Sequence, residues 1–138
     1  MPKISIKTLP LDPSIDIPGV LKKLGTDLAH TLNIGLNQLV ILWEPISSNQ
    51  FLCNGEFACT QPESSHHPLV EITAIQGMPR DMEKKMVLTL VRILSRELGI
   101  DDTNVCVVVN TLAPGKLFVS GAFKNLPIHR TLSEKRVL

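Results

Sequence analysis

The chain has 138 residues, a formal net charge of +1 at pH 7 and few aromatic residues, four Phe and one Trp. This length predicts a single domain that buries a proper core. The weak net charge disfavours nucleic acid or a membrane surface as a partner, and the scarcity of rings disfavours base stacking. No apolar run reaches membrane-spanning length, and the first residues lack a signal-peptide pattern, so we expect a cytoplasmic protein. Its three cysteines form no CxxC pair, which indicates free thiols.

The first third of the chain predicts a strand, a helix and a second strand. Residues 3–8 alternate between apolar and polar side chains, which is typical of a strand. Asp16 is a candidate N-cap, and Pro18 follows in the first turn of the predicted helix. Residues 33–35 are expected to end that helix. The apolar run 39–43 predicts a strand buried on both faces. The apolar stripe of the helix consists of Val20, Leu21, Leu24, Leu28 and Leu32.

The same pattern returns 66 residues later without a gap. Pro2 falls on Pro68, and the leucines and isoleucines of the two stretches stay in step. The second copy predicts a strand at 69–75, a helix stopped by Gly99, and a strand at 105–109. Between the copies, residues 46–67 form an irregular insert with a hairpin turn at Asn54-Gly55. A turn at 113–116 leads into a short final strand, 117–119, and a basic tail follows.

Two β-α-β units predict an α/β (α+β) fold: one four-stranded mixed sheet with both helices on a single face. We expect one domain over residues 1–123, with pseudo-repeats 2–45 and 68–111, and a C-terminal tail over 124–138. Two helices cover only one face of such a sheet. Because the strands 39–43 and 105–109 are apolar on both sides, we expect other subunits to bury the opposite face.

The two leading prolines differ in one chemical respect. Removal of Met1 would give Pro2 a free secondary amine, whereas Pro68 can only be an amide inside the chain. An α-amino group titrates at a pKa of about 7.7–8.0 in model peptides, and burial near cations lowers that value further. A base is most effective when its pKa lies near the working pH. Pro2 is therefore a candidate general base, although the residues alone equally allow a proline that only begins a strand.

The leading Met-Pro, the opening strand 2–8 and the two β-α-β units together resemble the tautomerase superfamily, which includes macrophage migration inhibitory factor and 4-oxalocrotonate tautomerase. The likeness covers roughly residues 2–123, and residues 72–121 are similar to a whole 4-oxalocrotonate tautomerase subunit. The strings Met1-Pro2 and 68–72 are most similar to a little-characterised bacterial branch. The resemblance implies a homotrimer with sites between subunits. It also implies that Pro2 is the general acid or base for a small keto or enol acid, with no cofactor and no metal.

Several supporting groups of these relatives have no counterpart here. A tyrosine and an asparagine of migration inhibitory factor fall on Cys106 and Val108, and its lysine falls in the 33–35 stretch, which has none. The remaining candidates for binding the substrate are Arg80 and Lys116, in loops at strand ends, together with Ile75 and Leu117. An anion clamp made by the two cations would stabilise an enolate. The alternative function is a catalytically silent trimer that binds a ligand or a protein.

Three other features carry expectations of their own. His66-His67 is expected to be a polar loop pair rather than a metal site, because no third ligand has suitable spacing. Cys106 is expected to be an inert thiol in a buried strand. Trp43, the single tryptophan, is expected to anchor a subunit interface.

Overall fold

The computed structural model describes residues 2–125. Two short 3₁₀ turns, Leu36–Gln38 and Asp102–Asn104, follow the two helices. No helix of this part of the chain combines the length and the apolar character needed to cross a membrane. The elements are β1 (Lys3–Thr8), α1 (Ile17–Leu32), β2 (Val40–Pro45), β3 (Leu52–Cys53), β4 (Glu56–Phe57), β5 (Leu69–Ile75), α2 (Arg80–Leu98), β6 (Cys106–Leu112), β7 (Leu117–Val119) and β8 (Ala122–Lys124).

The sheet confirms the predicted fold and shows the repeat in its register. Its strand order is β2-β1-β5-β6, with β1 parallel to β2, β5 parallel to β6, and β1 antiparallel to β5. In each copy the second strand pairs with the first at a separation of 37 residues, so Val40 lies opposite Lys3 and Cys106 opposite Leu69. The two copies are therefore the same unit, related by a pseudo-twofold axis between the central strands.

Both helices pack on one face of the sheet, as expected. Ile4 and Ile6 of β1 and Ile72 of β5 are fully buried beneath them. Burying each such side chain contributes roughly 1.5–3 kcal/mol relative to leaving it exposed. Lys23 of α1 and Glu97 of α2 form an ion pair of 2.8 Å across the outer surface. The helices add buried residues to the same core: Val20, Leu24, Leu28, Leu32, Met86, Leu90, Ile93, Leu94 and Leu98.

The ends of the helices repeat as well. α1 stops at Asn33 and α2 at Gly99, 66 residues later, and both caps are left-handed, with φ of 54° and 66°. This backbone conformation is open to glycine and tolerated by asparagine, so both predicted stops are confirmed. Asp16 is the N-cap of α1, but its carboxylate accepts no capping hydrogen bond from the backbone of the helix.

The face of the sheet away from the helices is uncovered in a single chain, and its burial by other subunits stays a prediction. No residue of the edge strands β2 and β6 is fully buried within one chain. Cys106 is exposed, because strand alternation turns Val107 and Val109 towards the helices and Cys106 away from them. The prediction of a buried Cys106 thiol was wrong. The open face mixes apolar and polar residues: Lys3, Ser5, Lys7, Val40, Leu42, Glu44, Leu69, Glu71, Thr73, Cys106, Val108 and Asn110.

The correspondence between the copies continues beyond the sheet. A first hairpin, β3–β4, follows β2, and a second hairpin, β7–β8, follows β6. Their turns, Asn54-Gly55 and Ser120-Gly121, again lie 66 residues apart, with φ of 53° and then 77° in each. The predicted turn at Asn54-Gly55 is confirmed. The strand β8 extends to Lys124, and residues 126–138 of the expected tail lie outside the described residues.

Candidate active site

Pro2 lies buried just before the central strand β1. Its carbonyl oxygen accepts a hydrogen bond of 3.2 Å from the backbone N–H of Val40. The carbonyl of Pro68 accepts the equivalent bond, 3.0 Å long, from the N–H of Cys106. Each proline is thus fixed by the first residues of the neighbouring parallel strand, and the position of the Pro2 ring is set by the sheet.

Several candidate residues lie at the end of the sheet where β1 begins, the Pro2 end. Because β5 runs antiparallel to β1, it finishes here, with Thr73 opposite Lys3. β6 finishes beside it, and the N–H of Gln76 donates a 2.8 Å bond to the carbonyl of Leu112. The segments that lead from these strands into α2 and into the second hairpin therefore start at the Pro2 end.

A small cavity of about 30 Å³ lies where β5 ends and α2 begins. A cavity of this size holds about one water molecule. Glu83 is the one ionisable side chain in its lining, and the sequence reasoning missed it. The available signal was its helical spacing of three residues from Met86, which places both on one face of α2. The lining comprises Ala74, Ile75, Gln76, Gly77, Met78, Glu83, Met86, Val109 and Thr111.

The structure brings one predicted substrate-binding residue to this cavity and leaves three outside its lining. Ile75 is 2% exposed and forms part of the wall. Arg80 is exposed at the first position of α2, and Lys116 is exposed in the turn before β7. Neither cation takes part in the single ion pair found among residues 2–125. Leu117 is half-buried at the start of β7.

Half-buried Trp43 lies at the opposite end of the sheet, the Pro68 end. Trp43 is the repeat equivalent of Val109, a cavity-lining residue. Its indole packs against the core, and its Nε1 donates a 3.0 Å hydrogen bond to Oγ1 of Thr8, the equivalent of Ala74. The predicted interface anchor is thus held by a partner within its own chain.

The segment 46–67 closes the Pro68 end further through Gln61. This side chain is 5% exposed; its Oε1 accepts from the N–H of Leu9 at 3.2 Å, and its Nε2 donates to the carbonyl of His66 at 2.9 Å. The backbone N–H of Gln61 also donates to the carbonyl of Pro10 at 2.9 Å. Because both the oxygen and the nitrogen of this buried amide are hydrogen-bonded, Gln61 holds the segment against the end of β1.

His66 corrects the expectation of a polar loop pair. Its ring is 1% exposed and meets Phe51 edge-on at 4.9 Å. Nε2 lies 2.9 Å from the carbonyl of Glu56, and Nδ1 lies 2.9 Å from Oγ of Ser65, so both ring nitrogens are satisfied. The insert 46–67 has few apolar side chains of its own, and the buried imidazole of His66 takes the place of one of them. No group of three or more candidate metal ligands occurs in the described part of the chain.

No protein-family model matches this chain, and no curated protein matches it by sequence. Solved structures do match its fold. Pt0534 inactivated by 2-oxo-3-pentynoate superposes with a TM-score of 0.76 at 11% identity, over 88% of this chain and 94% of that one. A fused 4-OT, described as a wild-type symmetric trimer, gives 0.75 at 16% identity, over 88% and 94%. Macrophage migration inhibitory factor of Toxoplasma gondii gives 0.65 at 16% identity, over 88% and 98%. The chain therefore has the tautomerase fold.

Proposed function

We propose that the chain is a keto–enol tautomerase or isomerase in which the amine of Pro2 moves a proton between carbon and oxygen of a small keto or enol acid. The observation that carries this proposal is the asymmetry between the two ends of the sheet. At the Pro68 end, Trp43 and Gln61 are hydrogen-bonded to the end of β1 and the residue after it, whereas the Pro2 end has a small cavity whose lining does not include Pro2 itself. Of the two leading prolines, only Pro2 can become a free amine.

The chemistry follows from the position of that amine. Once Met1 is removed, burial of Pro2 would disfavour the protonated amine and leave the nitrogen available as a base near neutral pH. The nitrogen would take a proton from the carbon beside the keto group, and the electron pair of that C–H bond would become the enolate. The same proton, or one from solvent, then reaches the enolate oxygen. Arg80 and Lys116 are the proposed cations for the substrate carboxylate and the developing oxyanion.

A cavity of about 30 Å³ does not hold a keto acid, so one chain does not form the whole site. We propose that the site is completed between subunits of a homotrimer. The fused 4-OT is a trimer, which supports this assembly. Pt0534 is inactivated by a 2-oxo acid, which supports the proposed substrate class.

The same small cavity favours a second candidate function, a catalytically silent trimer that binds a ligand or a protein. Cys106 and Val108, which replace polar groups of the relatives, supply no strong donor for an oxyanion. In this case Pro2 is a structural residue at the start of β1, and its amine takes no part in any reaction.

Two measurements separate the candidates. Intact mass spectrometry of the protein from its native host establishes whether Met1 is removed, and a retained Met1 removes the mechanism. Tautomerisation of phenylenolpyruvate by the mature chain and by Pro2→Ala should then differ at least about tenfold. Equal rates would leave the silent trimer as the function.

A further inference from the structure

The open face of the sheet carries a row of polar side chains at the Pro2 end. The register places Lys3 opposite Thr73, and Thr73 opposite Asn110 on the next strand. Residues that lie opposite one another on neighbouring strands point to the same face, with Cβ atoms about 4.5–5.5 Å apart. We call Lys3, Thr73 and Asn110 the Lys3 row. It brings a cation, a hydroxyl and an amide into one line across three strands, beginning beside Pro2.

The repeat places an equivalent row at the Pro68 end, and its charges differ. Lys7 and Glu44 occupy the positions of Thr73 and Asn110 there, and they lie directly opposite one another. Opposite charges on neighbouring strands stabilise each other, so the cation of this second row has a carboxylate at its side. The two ends of the open face therefore each carry one lysine, and only Lys3 lacks a carboxylate opposite it.

The side chains of the Lys3 row have no partners in the part of the chain that the structure describes. The residues opposite Lys3 on β1's two neighbours, β2 and β5, are not acidic. The closest carboxylate in the register is Glu71, two residues before Thr73 on β5, and it forms no ion pair with Lys3. The side chains of Thr73 and Asn110 form no hydrogen bond within the same described residues. All three polar groups of the row are therefore available to a ligand.

We propose that the Lys3 row binds the carboxylate of the substrate. Neighbouring strands lie about 4.8 Å apart, so Lys3 and Asn110 are roughly 10 Å from one another with Thr73 between them. A carboxylate above Thr73 accepts hydrogen bonds from its hydroxyl, from the ammonium of Lys3 and from the amide nitrogen of Asn110. All three groups can donate, and only one of them is charged, which matches a ligand with one negative charge.

The position of the row agrees with a 2-oxo acid as substrate. In such an acid the carboxylate is bonded directly to the keto carbon, so the groups that hold it must lie close to the base that moves the proton. Lys3 follows Pro2 in the chain, and their Cα atoms are about 3.8 Å apart. This inference rests on the proposed function, and it adds a cation held on a strand to Arg80 and Lys116, which lie at the start of a helix and in a turn.

The proposed trimer gives a second reason for an anion beside Lys3. In a single chain Lys3 is exposed, and its ammonium is hydrated. When other subunits cover the open face, the ammonium leaves water, and a cation out of water is costly unless an anion compensates its charge. Lys7 has Glu44 for this purpose, whereas Lys3 gains its anion when the substrate binds.

Phenylglyoxylate measures binding at this site without catalysis. It is a 2-oxo acid with no hydrogen on the carbons beside its keto group, so it cannot form an enol. Calorimetric titration of the mature full-length chain should show that Lys3→Met weakens binding at least about tenfold, because it removes a charged donor and keeps the length of the side chain. Lys3→Arg should restore most of the affinity. Lys7→Met, on the same strand and face, is the matched control and should bind as the wild type does.

Two further measurements keep the test decisive. Thr73→Val keeps a β-branched side chain and loses the hydroxyl, so it should weaken binding roughly twofold to tenfold even if Lys3→Met fails to fold. Methyl phenylglyoxylate has no charge and should bind equally to the wild type and to Lys3→Met. No binding of phenylglyoxylate by the wild type, equal affinities of the wild type, Lys3→Met and Thr73→Val, or an equal loss in Lys7→Met would overturn the proposal.

A structural role for Lys3 predicts a different result. If Lys3 serves only to pair with Glu71 of its own or a neighbouring chain, Lys3→Met and Glu71→Gln should lower the free energy of unfolding equally and leave the affinity unchanged, which would also overturn the proposal. The proposed function is tested separately. Tautomerisation that depends on Pro2 but not on Lys3 would refute this site alone. Binding that depends on Lys3, without tautomerisation that depends on Pro2, would support the site and refute the proposed function.

Discussion

Trp43 and Val109 occupy the same position in the two halves of the molecule; Val109 lines the small cavity at the Pro2 end, whereas Trp43 is hydrogen-bonded to Thr8. The larger side chain of Trp43 reaches Thr8, the repeat equivalent of the cavity-lining Ala74. The repeat thus gives the sheet two similar ends, which differ in the Trp43/Val109 pair and in the contacts of Gln61. This difference supports the proposal of a site at the Pro2 end.

Val109→Ile should stabilise the protein slightly, because the added methyl group enters the cavity. At about 24 cal/mol per Å³, filling 30 Å³ raises the free energy of unfolding by at most about 0.7 kcal/mol. Urea denaturation measures this change. Val107→Ile, on the same strand and face but away from the cavity, is the control and should give no gain. Equal effects of the two substitutions would mean that the cavity does not exist in solution.

Gln61→Ala should destabilise the fold by roughly 2–4 kcal/mol, because it leaves the N–H of Leu9 and the carbonyl of His66 buried without partners. The free energy of unfolding from urea denaturation measures the loss. Gln50→Ala, in the same segment but exposed, should change it by less than about 0.5 kcal/mol. A loss below about 1 kcal/mol for Gln61→Ala would show that the Pro68 end is open to water.

Trp43→Phe should keep the packing of the ring and lose the hydrogen bond to Thr8. The free energy of unfolding should fall by about 1 kcal/mol. Thr8→Val should lower it by a similar amount, because it removes the acceptor of the bond. In the double variant the two costs should not add, and the coupling energy from urea denaturation should be about 0.5–1.5 kcal/mol. Strict additivity would contradict the bond.

Arg80→Ala should lower kcat/KM for a small keto acid by roughly tenfold to a hundredfold. This factor corresponds to the free energy of one hydrogen bond to a charged group. Arg92→Ala removes the same charge from the exposed surface of the same helix and is the control. Unchanged kcat/KM in Arg80→Ala would remove this residue from the proposed anion clamp.

The sequence predicted the fold well, because apolar periodicity and caps are local. The offset of 66 residues aligns both helix stops, Asn33 and Gly99, and it also aligns the strand registers. Burial was harder to predict. Cys106 lies in an apolar run, yet its exposure depends on which face the strand turns to the helices, which a run of Val does not reveal.

The candidate site was predicted only in part. Pro2 and Ile75 follow from the chain pattern, but the closed Pro68 end depends on contacts between residues distant in sequence. Gln61 meets Leu9 across 52 residues, and Trp43 meets Thr8 across 35. No local pattern marks such pairs, and His66 looked like a loop residue for the same reason.

The central claim, that Pro2 is a buried free amine at the active site, is tested most directly by covalent labelling with 2-oxo-3-pentynoate. An amine adds to this acetylenic keto acid, so the chain gains the full mass of the reagent. The control is a chain with one Gly inserted before Pro2, which keeps the proline and converts its nitrogen to an amide. We predict one adduct per wild-type chain, located on the peptide that begins with Pro2, and none on Pro2 in the control. Labelling confined to Cys59 or Cys106, and equal in both proteins, would contradict the account.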